Sequence, residues 1–232
     1  TLVKKIILIL LLFLSCYIIY QFTKNNNIYY LSIGDSLAVG TTQNGSIGYG
    51  YSDYIKDYLK ESNKLKGYNK AFTNNNYRIT DLLRIIQYNE TIKIDNQEIS
   101  LTRLIKKADI ITLSIGMNEL YYKLNSNTDN IYSYMNQMLS DIKRLLEHIN
   151  YFNHKKVFVL NYYNVTGNNY DIFSYLNYEL KELVLEEGFE YIDLTNIFDN
   201  NPTFFKNNSS FIPNNEGYQK ISQIVLEKIK NY

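Results

Sequence analysis

Short apolar runs alternate along this chain with longer stretches in which apolar residues recur every three or four positions. The short runs predict buried strands, and the longer stretches are typical of amphipathic helices. This alternation predicts an α/β fold, in which a parallel sheet is covered by helices on both faces. At 232 residues the chain is long enough for one such domain, which we expect at residues 28–232. The predicted strands are 28–33, 68–73, 109–115, 157–160 and 191–194, and the helical stripes are 51–59, 82–86, 101–108, 131–149, 176–183 and 218–229.

Polar residues follow the predicted strands at the points where the strands end. The first strand leads into Gly34, Asp35 and Ser36, and a later strand leads into Gly116 and Asn118. In open parallel sheets, ligands bind outside the carboxyl ends of the strands. Glycine permits tight-turn conformations that other residues resist, so the first of these turns presents a serine hydroxyl at that edge. Ser36 is therefore the first candidate functional residue, although glycine, aspartate and serine are also ordinary turn formers.

Together with the stretch 212–218, which reads IPNNEGY, these residues resemble the sequence blocks of the SGNH or GDSL hydrolases. The resemblance extends from Tyr29 to Tyr232. It implies a flavodoxin-like three-layer α/β/α sandwich that hydrolyses an acyl or acetyl ester without a cofactor, with Ser36 as the nucleophile. It also implies an oxyanion hole formed by the Ser36 N–H, a glycine N–H and the Asn118 side chain. The implied ligand is a small-molecule, lipid or glycan ester.

Two blocks depart from the pattern of that family. Asn76 stands at the glycine position, where a backbone N–H is still present and a left-handed conformation is still tolerated. Ser209 and Ile212 stand at the positions of the family's aspartate and histidine. Because a serine hydroxyl needs a base within hydrogen-bond reach, the resemblance predicts an impaired hydrolase. The alternative is a non-catalytic, membrane-anchored protein that binds a ligand in the same pocket.

Substitutes for the missing histidine and aspartate are few. The only histidines are His148 and His154, which lie between the longest predicted helix and the strand that follows it. Such a connection reaches the opposite edge of the sheet from Ser36, so we expect surface histidines. Asp193, Asp199 and Glu216 are the candidate carboxylates, and none has a spacing that distinguishes it.

The N-terminal segment predicts a membrane anchor. Residues 6–22 carry no charge and follow Lys4 and Lys5. Their length is at the short end of what spans a bilayer as a helix. With the lysines on the cytoplasmic side, the domain would lie outside the cell, so we expect residues 1–27 to be an anchor and linker. A cleaved secretory signal, or a lipoprotein signal ending at Cys16, is the alternative.

Composition disfavours several classes of function. The net charge is +1 with both signs mixed along the chain, so no footprint for nucleic acid is present. One cysteine allows no intramolecular disulfide, and two histidines with one cysteine give no zinc-type cluster, so we expect no metal.

A phosphate cradle like that of flavin-binding proteins is a third hypothesis. It is disfavoured because Asp35 would repel an anion in the first loop.

Overall fold

A computed structural model describes residues 5–7, 9–15, 28–126, 129–206 and 210–230. Strands and helices alternate through most of the domain, as the hydrophobic periodicity predicted. The strands are β1 (Ile28–Gly34), β2 (Leu65–Asn69), β3 (Thr91–Ile94), β4 (Gln97–Ser100), β5 (Ile110–Ser114), β6 (Lys156–Leu160) and β7 (Glu190–Ile192). The helices are α1 (Ser36–Val39), α2 (Tyr51–Glu61), α3 (Ile79–Gln87), α4 (Leu101–Lys107), α5 (Met117–Ser126), α6 (Ile131–Phe152), α7 (Tyr170–Glu186), α8 (Thr195–Phe198) and α9 (Asn215–Lys230), with a 3₁₀ turn at Pro202–Phe204.

The central sheet is five-stranded and parallel, in the order β2-β1-β5-β6-β7. When its strands are numbered along the chain, this order is 2-1-3-4-5, that of flavodoxin-like doubly wound folds. All five residues of β5 and the last five of β1 are buried, which requires cover on both faces of the sheet. The predicted α/β fold with a parallel central sheet is confirmed.

The helices form two groups. The crossover through α2 runs from β1 outward to β2, whereas the later crossovers run in the opposite direction across the sheet. Because such crossovers are right-handed, α2 lies on one face, and α3, α4, α6 and α7 lie on the other. The last helix, α9, packs against α2, and α6 packs against α3, α4 and α7.

Register brings the ends of β1 and β5 together. Gly34 at the end of β1 pairs with Ser114 at the end of β5. The loop after β2 joins them, because the Asn74 N–H donates to the Gly34 carbonyl at 3.1 Å. The segments that carry Ser36, Asn74 and Asn118 therefore meet at the carboxyl edge of the sheet.

Two local predictions need correction. The second strand, expected at 68–73, is found at Leu65–Asn69, an edge strand whose residues are nearly all half-buried. The segment 89–99, expected as an irregular surface excursion, contains the antiparallel pair β3 and β4. Asp95 and Asn96 connect them with φ of 47° and 64°, as a tight hairpin turn requires.

The N-terminal segment is described only in part. Residues 5–7 and 9–15 are helical, and their apolar side chains are exposed. No helix among the described residues is both long and apolar enough to cross a membrane. Position 8 and positions 16–22 of the expected span, including Cys16, lie outside the described residues. Lys4 also lies outside them.

Candidate active site

Ser36 is the first residue of the short helix α1 and is buried at the end of β1. The turn before it is sterically specified. Gly34 has φ of +138°, and a Cβ at this position would lie 1.8 Å from the Ser114 carbonyl oxygen. The Asp35 N–H donates to that oxygen at 2.9 Å. A glycine is therefore required for β1 to approach β5 closely enough to hold the serine at this point.

Asp35 ties the serine turn to the turn after β5. Its carboxylate is fully buried and accepts hydrogen bonds from the N–H groups of Leu37 at 3.3 Å and Gly116 at 3.0 Å. Burial raises the pKa of Asp35 from its ordinary value of 3.8 to about 7, against the opposing effect of these backbone donors. No local pattern in the sequence indicates this positioning role, because Asp35 and Gly116 are 81 residues apart.

The Ser36 hydroxyl donates to the side-chain oxygen of Asn118 at 3.0 Å. The Asn118 amide nitrogen in turn donates to the backbone carbonyl of Asn75 at 2.7 Å. The two side chains expected to meet are therefore in direct contact. In this arrangement the serine hydroxyl is bonded to a neutral amide oxygen, which is too weak a base to activate it.

The N–H of Asn76, which stands at the family's glycine position, is not free to serve as the expected oxyanion donor. The Asn76 N–H donates to the Asn74 side chain at 2.9 Å, so it is engaged within the loop. This is an Asx turn, in which an asparagine side chain binds the backbone two residues further on. Among the described residues no acceptor is found for the N–H groups of Asn75 and Ser36. Asn75, whose side-chain oxygen also accepts from the Thr41 hydroxyl, replaces Asn76 as the candidate oxyanion donor.

The C-terminal block comprises residues 209–218, and its described part, 210–218, lies beside the segment that follows Ser36. Ser209, at the family's aspartate position, is outside the described residues. Ile212, at the histidine position, is half-buried and offers no side-chain proton acceptor. Tyr218, in the first turns of α9, donates to the Thr41 carbonyl at 2.7 Å and lies 3.5 Å from the Ser36 carbonyl. The block is thus adjacent to the site, but Ile212 cannot supply a base.

The two histidines lie at the other end of the sheet. His148 is on α6, half-buried, with its Nε2 atom 3.5 Å from the Gln87 side chain. His154 precedes β6, is exposed and approaches Asn150 at 3.4 Å. His148 therefore lies on α6 itself and faces α3, whereas His154 lies in the connection between α6 and β6 where both histidines were expected. Neither is positioned to accept a proton from Ser36.

The candidate carboxylates contact groups other than Ser36. Asp193 accepts from Asn161 at 3.0 Å and from the Thr195 hydroxyl at 2.6 Å. Asp199 accepts from the Asn164 N–H at 2.7 Å, and burial raises the pKa of its carboxyl. Glu216 lines a cavity of about 660 Å³ between the loop after α1 and the start of α9. Within the described ranges no group of three or more metal-ligating side chains is placed to hold an ion.

A second cavity, of about 600 Å³, opens beside Asn118. The sequence did not predict it, because its walls come from segments that are far apart in the chain. They are the loop before α3 and the first turns of α5, with one residue from α6. The lining residues are Asn75, Asn76, Arg78, Asn118, Glu119, Tyr122, Lys123 and Tyr134.

A doubly wound α/β domain with a buried serine and an asparagine in contact at the carboxyl edge of its sheet has the architecture of the SGNH hydrolases. A model of the GDSL-like lipase/acylhydrolase family matches residues 32–220, most of the chain. The chain therefore belongs to this family. No curated protein matches the sequence significantly.

Solved structures share the fold at low sequence identity. The lipase Lip_vut3 from a goat rumen metagenome is 19% identical with a TM-score of 0.70, over 87% of this chain and 97% of that one. A mutant of Axe2, an acetyl-xylooligosaccharide esterase from Geobacillus stearothermophilus, is 17% identical with a TM-score of 0.65, over 87% and 94%. LAE5, an alpha/beta hydrolase enzyme from the metagenome of Lake Arreo in Spain, is 18% identical with a TM-score of 0.61, over 86% and 94%. The catalytic mutants solved for Axe2 replace a serine, an aspartate or a histidine by alanine.

Proposed function

We propose that this chain is a GDSL-type serine hydrolase of acyl or acetyl esters whose catalysis is impaired. One observation carries the proposal: the Ser36 hydroxyl donates to the neutral side-chain oxygen of Asn118, and both histidines of the sequence contact residues elsewhere. The Ser36 and Asn75 N–H groups remain directed to no internal acceptor among the described residues, as an oxyanion hole requires. The oxyanion hole thus keeps two backbone donors, and the proton relay is the part that no described residue supplies.

The size of the expected defect follows from the triad's chemistry. In a serine protease, removal of the triad histidine lowers kcat by about 10⁶, roughly 8 kcal/mol of barrier. Oxyanion donors and ligand binding alone leave a residual acceleration of about 10³–10⁴ over water. We therefore expect slow turnover of activated esters and almost none of ordinary ones.

The test restores the relay in the full chain, purified in detergent. We would measure hydrolysis of 4-nitrophenyl acetate and labelling by a serine-reactive fluorophosphonate. The native chain and Ser36→Ala should be nearly equal in turnover. Ser209→Asp combined with Ile212→His should raise turnover by about 10²–10⁴-fold, the usual contribution of general acid–base catalysis.

Controls separate the outcomes. Ile212→His alone should give a smaller gain, since the histidine then lacks its orienting carboxylate. Adding Ser36→Ala to the double variant should abolish the gain. Fast, Ser36-dependent turnover by the native chain would contradict the impairment.

The alternative function is a binding protein that keeps the pocket without turnover. It is favoured by the hydrogen bond from Asn118 to Asn75, which engages the amide donor that an oxyanion would need. Absence of turnover in every variant, with unchanged thermal unfolding, would support this alternative.

We also propose that the protein is held in the cell membrane by residues 6–22, with the domain outside the cell. The support is the uncharged run that follows Lys4 and Lys5. The ester ligand would then be a small molecule, lipid or glycan at the cell surface.

A further inference from the structure

The cavity beside Asn118 is a candidate for the part of the ligand that does not react. Asn118 lines it and also accepts the Ser36 hydroxyl at 3.0 Å, so the cavity begins one side chain away from the candidate nucleophile. Its volume of about 600 Å³ is in the range of small-molecule sites. An ester held at Ser36 therefore has room to extend over this surface.

The charge of the cavity is unbalanced. Arg78 and Lys123 both line it, and neither forms an ion pair with any described residue. Glu119 is the one acidic side chain among the described lining residues. Its carboxylate accepts the Ile79 N–H at 2.9 Å, and burial raises its pKa, which disfavours the charged form. Arg78 lowers the pKa of Glu119, and Asp141 and Asp81 are near enough to raise it. Counted over the lining residues, two cationic side chains face one acidic side chain, so the lining is positive even with Glu119 fully ionised.

Two tyrosines give this surface flat apolar faces. Tyr122 is 70% exposed at the edge of the cavity. Tyr134 is half-buried, and the Lys123 Nζ atom lies 5.7 Å from the centre of its ring. A cation held beside an aromatic ring can meet an anionic group while the ring packs against the adjoining carbons of a ligand.

Resting on the function proposed above, we infer that the ligand of this site carries an anionic group, a phosphate or a carboxylate, bound by Arg78 and Lys123 while its ester lies at Ser36. An arginine guanidinium offers paired N–H donors that match such oxyanions, and a lysine adds a compact charge. A neutral acetyl ester would leave both cations without an ion-pair partner among the described residues.

The experiment measures binding, which does not depend on turnover. Glucose 6-phosphate and glucose would be titrated by calorimetry into the full chain in detergent, and affinity for the phosphate should be at least about tenfold higher. To test a lipid source of the same charge, phosphatidylglycerol would be compared with phosphatidylcholine in mixed micelles. Preference in the first pair alone indicates a soluble or glycan-borne anion, and preference in the second alone indicates a lipid headgroup. Either supports the inference.

Variants test whether the charge acts at this place. Arg78→Gln and Lys123→Gln should each weaken binding of the anionic probe about tenfold and leave the neutral probe unchanged. Glu119→Gln should strengthen it, because it removes the negative charge and keeps an acceptor for Ile79. The matched control, Lys93→Gln with Arg103→Gln, removes two exposed cations away from the cavity and should have no effect.

The outcomes distinguish the two proposals. Equal affinity for charged and neutral probes, or equal losses in the control variant, would overturn the anionic assignment. If the variant Ser209→Asp with Ile212→His nevertheless hydrolyses a neutral ester faster than the native chain, the proposed function stands without the anionic assignment. If no probe binds and that double variant neither hydrolyses nor is labelled, the proposed function fails and the inference fails with it.

Discussion

Asp35 is the side chain on which the geometry of the candidate site most depends. It lies between the two turns that carry Ser36 and Asn118 and accepts N–H donors from both sides. No cationic side chain among the described residues forms an ion pair with it, so burial favours its neutral form. The site is thus assembled around a carboxyl group that resists ionisation.

This gives a prediction for the pH dependence of stability. The pKa of Asp35 is about 7 in the folded chain and near 3.8 when exposed, so the folded state binds the proton more tightly. The resulting stabilisation is fully present below about pH 4 and is lost as the pH rises through about 7. The loss should be on the order of 4 kcal/mol, at about 1.36 kcal/mol for each pH unit between the two values.

Urea unfolding of the native chain and of Asp35→Asn, from pH 4 to pH 8, would measure this loss. Asparagine has nearly the same shape and does not titrate. The unfolding free energy of the native chain should therefore fall relative to that of Asp35→Asn as the pH rises. Ser36→Ala, which alters the neighbouring residue and keeps Asp35, should retain the native slope. A difference that is constant with pH would contradict the raised pKa.

Individual residues also explain why the sequence identified only part of the site. Positions 74, 75 and 76 are all asparagine, and the local sequence does not reveal which backbone N–H lacks an acceptor within the protein. The Asx turn formed by Asn74 engages the Asn76 N–H, so Asn75 is the open position. Ser36 and Asn118 were identifiable because each closely follows a strand end, whereas Asp35 acts across a long sequence separation.

At the level of elements, β1 and β5 define the site through the close approach of their ends. Gly34→Ala should therefore be severely destabilising. The new Cβ would overlap the Ser114 carbonyl oxygen at 1.8 Å, and that oxygen is held by the Asp35 N–H. We expect a loss of at least about 3 kcal/mol in the free energy of unfolding, measured by urea denaturation.

Gly45→Ala is the matched control for this prediction. Gly45 has φ of +84°, and no atom lies within 4 Å of the position that a methyl group would take, so its replacement carries backbone strain without a clash. It should cost about 1–2 kcal/mol. Equal effects of the two substitutions would mean that the contact between β1 and β5 relaxes freely.

How well each element could be predicted from the sequence follows from how much of it is buried. β1, β5 and α6 have continuous buried runs or a long apolar stripe, and their positions were predicted closely. The edge strand β2 is half-buried and begins several residues before its predicted position. The β3 and β4 pair is largely exposed, and its only strong signal was the Asp95 and Asn96 turn between two alternating stretches.

For the whole molecule, the carboxyl edge of the sheet collects the candidate chemistry and the opposite edge collects the histidines. The parallel direction of the strands gives this separation, because all carboxyl ends of the central sheet lie at one edge. Among the described residues, the C-terminal block is held against the segment after Ser36 through Tyr218, and Ile212 stands in that block without a basic group. That is why the proposed repair is confined to Ser209 and Ile212.

The orientation of the whole chain at the membrane can be tested on intact cells. If residues 6–22 anchor the protein with Lys4 and Lys5 inside, protease added to the cells should remove the domain, because its exposed loops then face the medium. Immunoblotting with a tag after Tyr232 would follow the loss, and a cytoplasmic protein of the same cells would report their integrity. Replacing both lysines by glutamate should reduce the accessible fraction, since the basic residues set the orientation. A domain protected until the membrane is opened would contradict the orientation, and a domain found free in the medium would identify the segment as a cleaved signal.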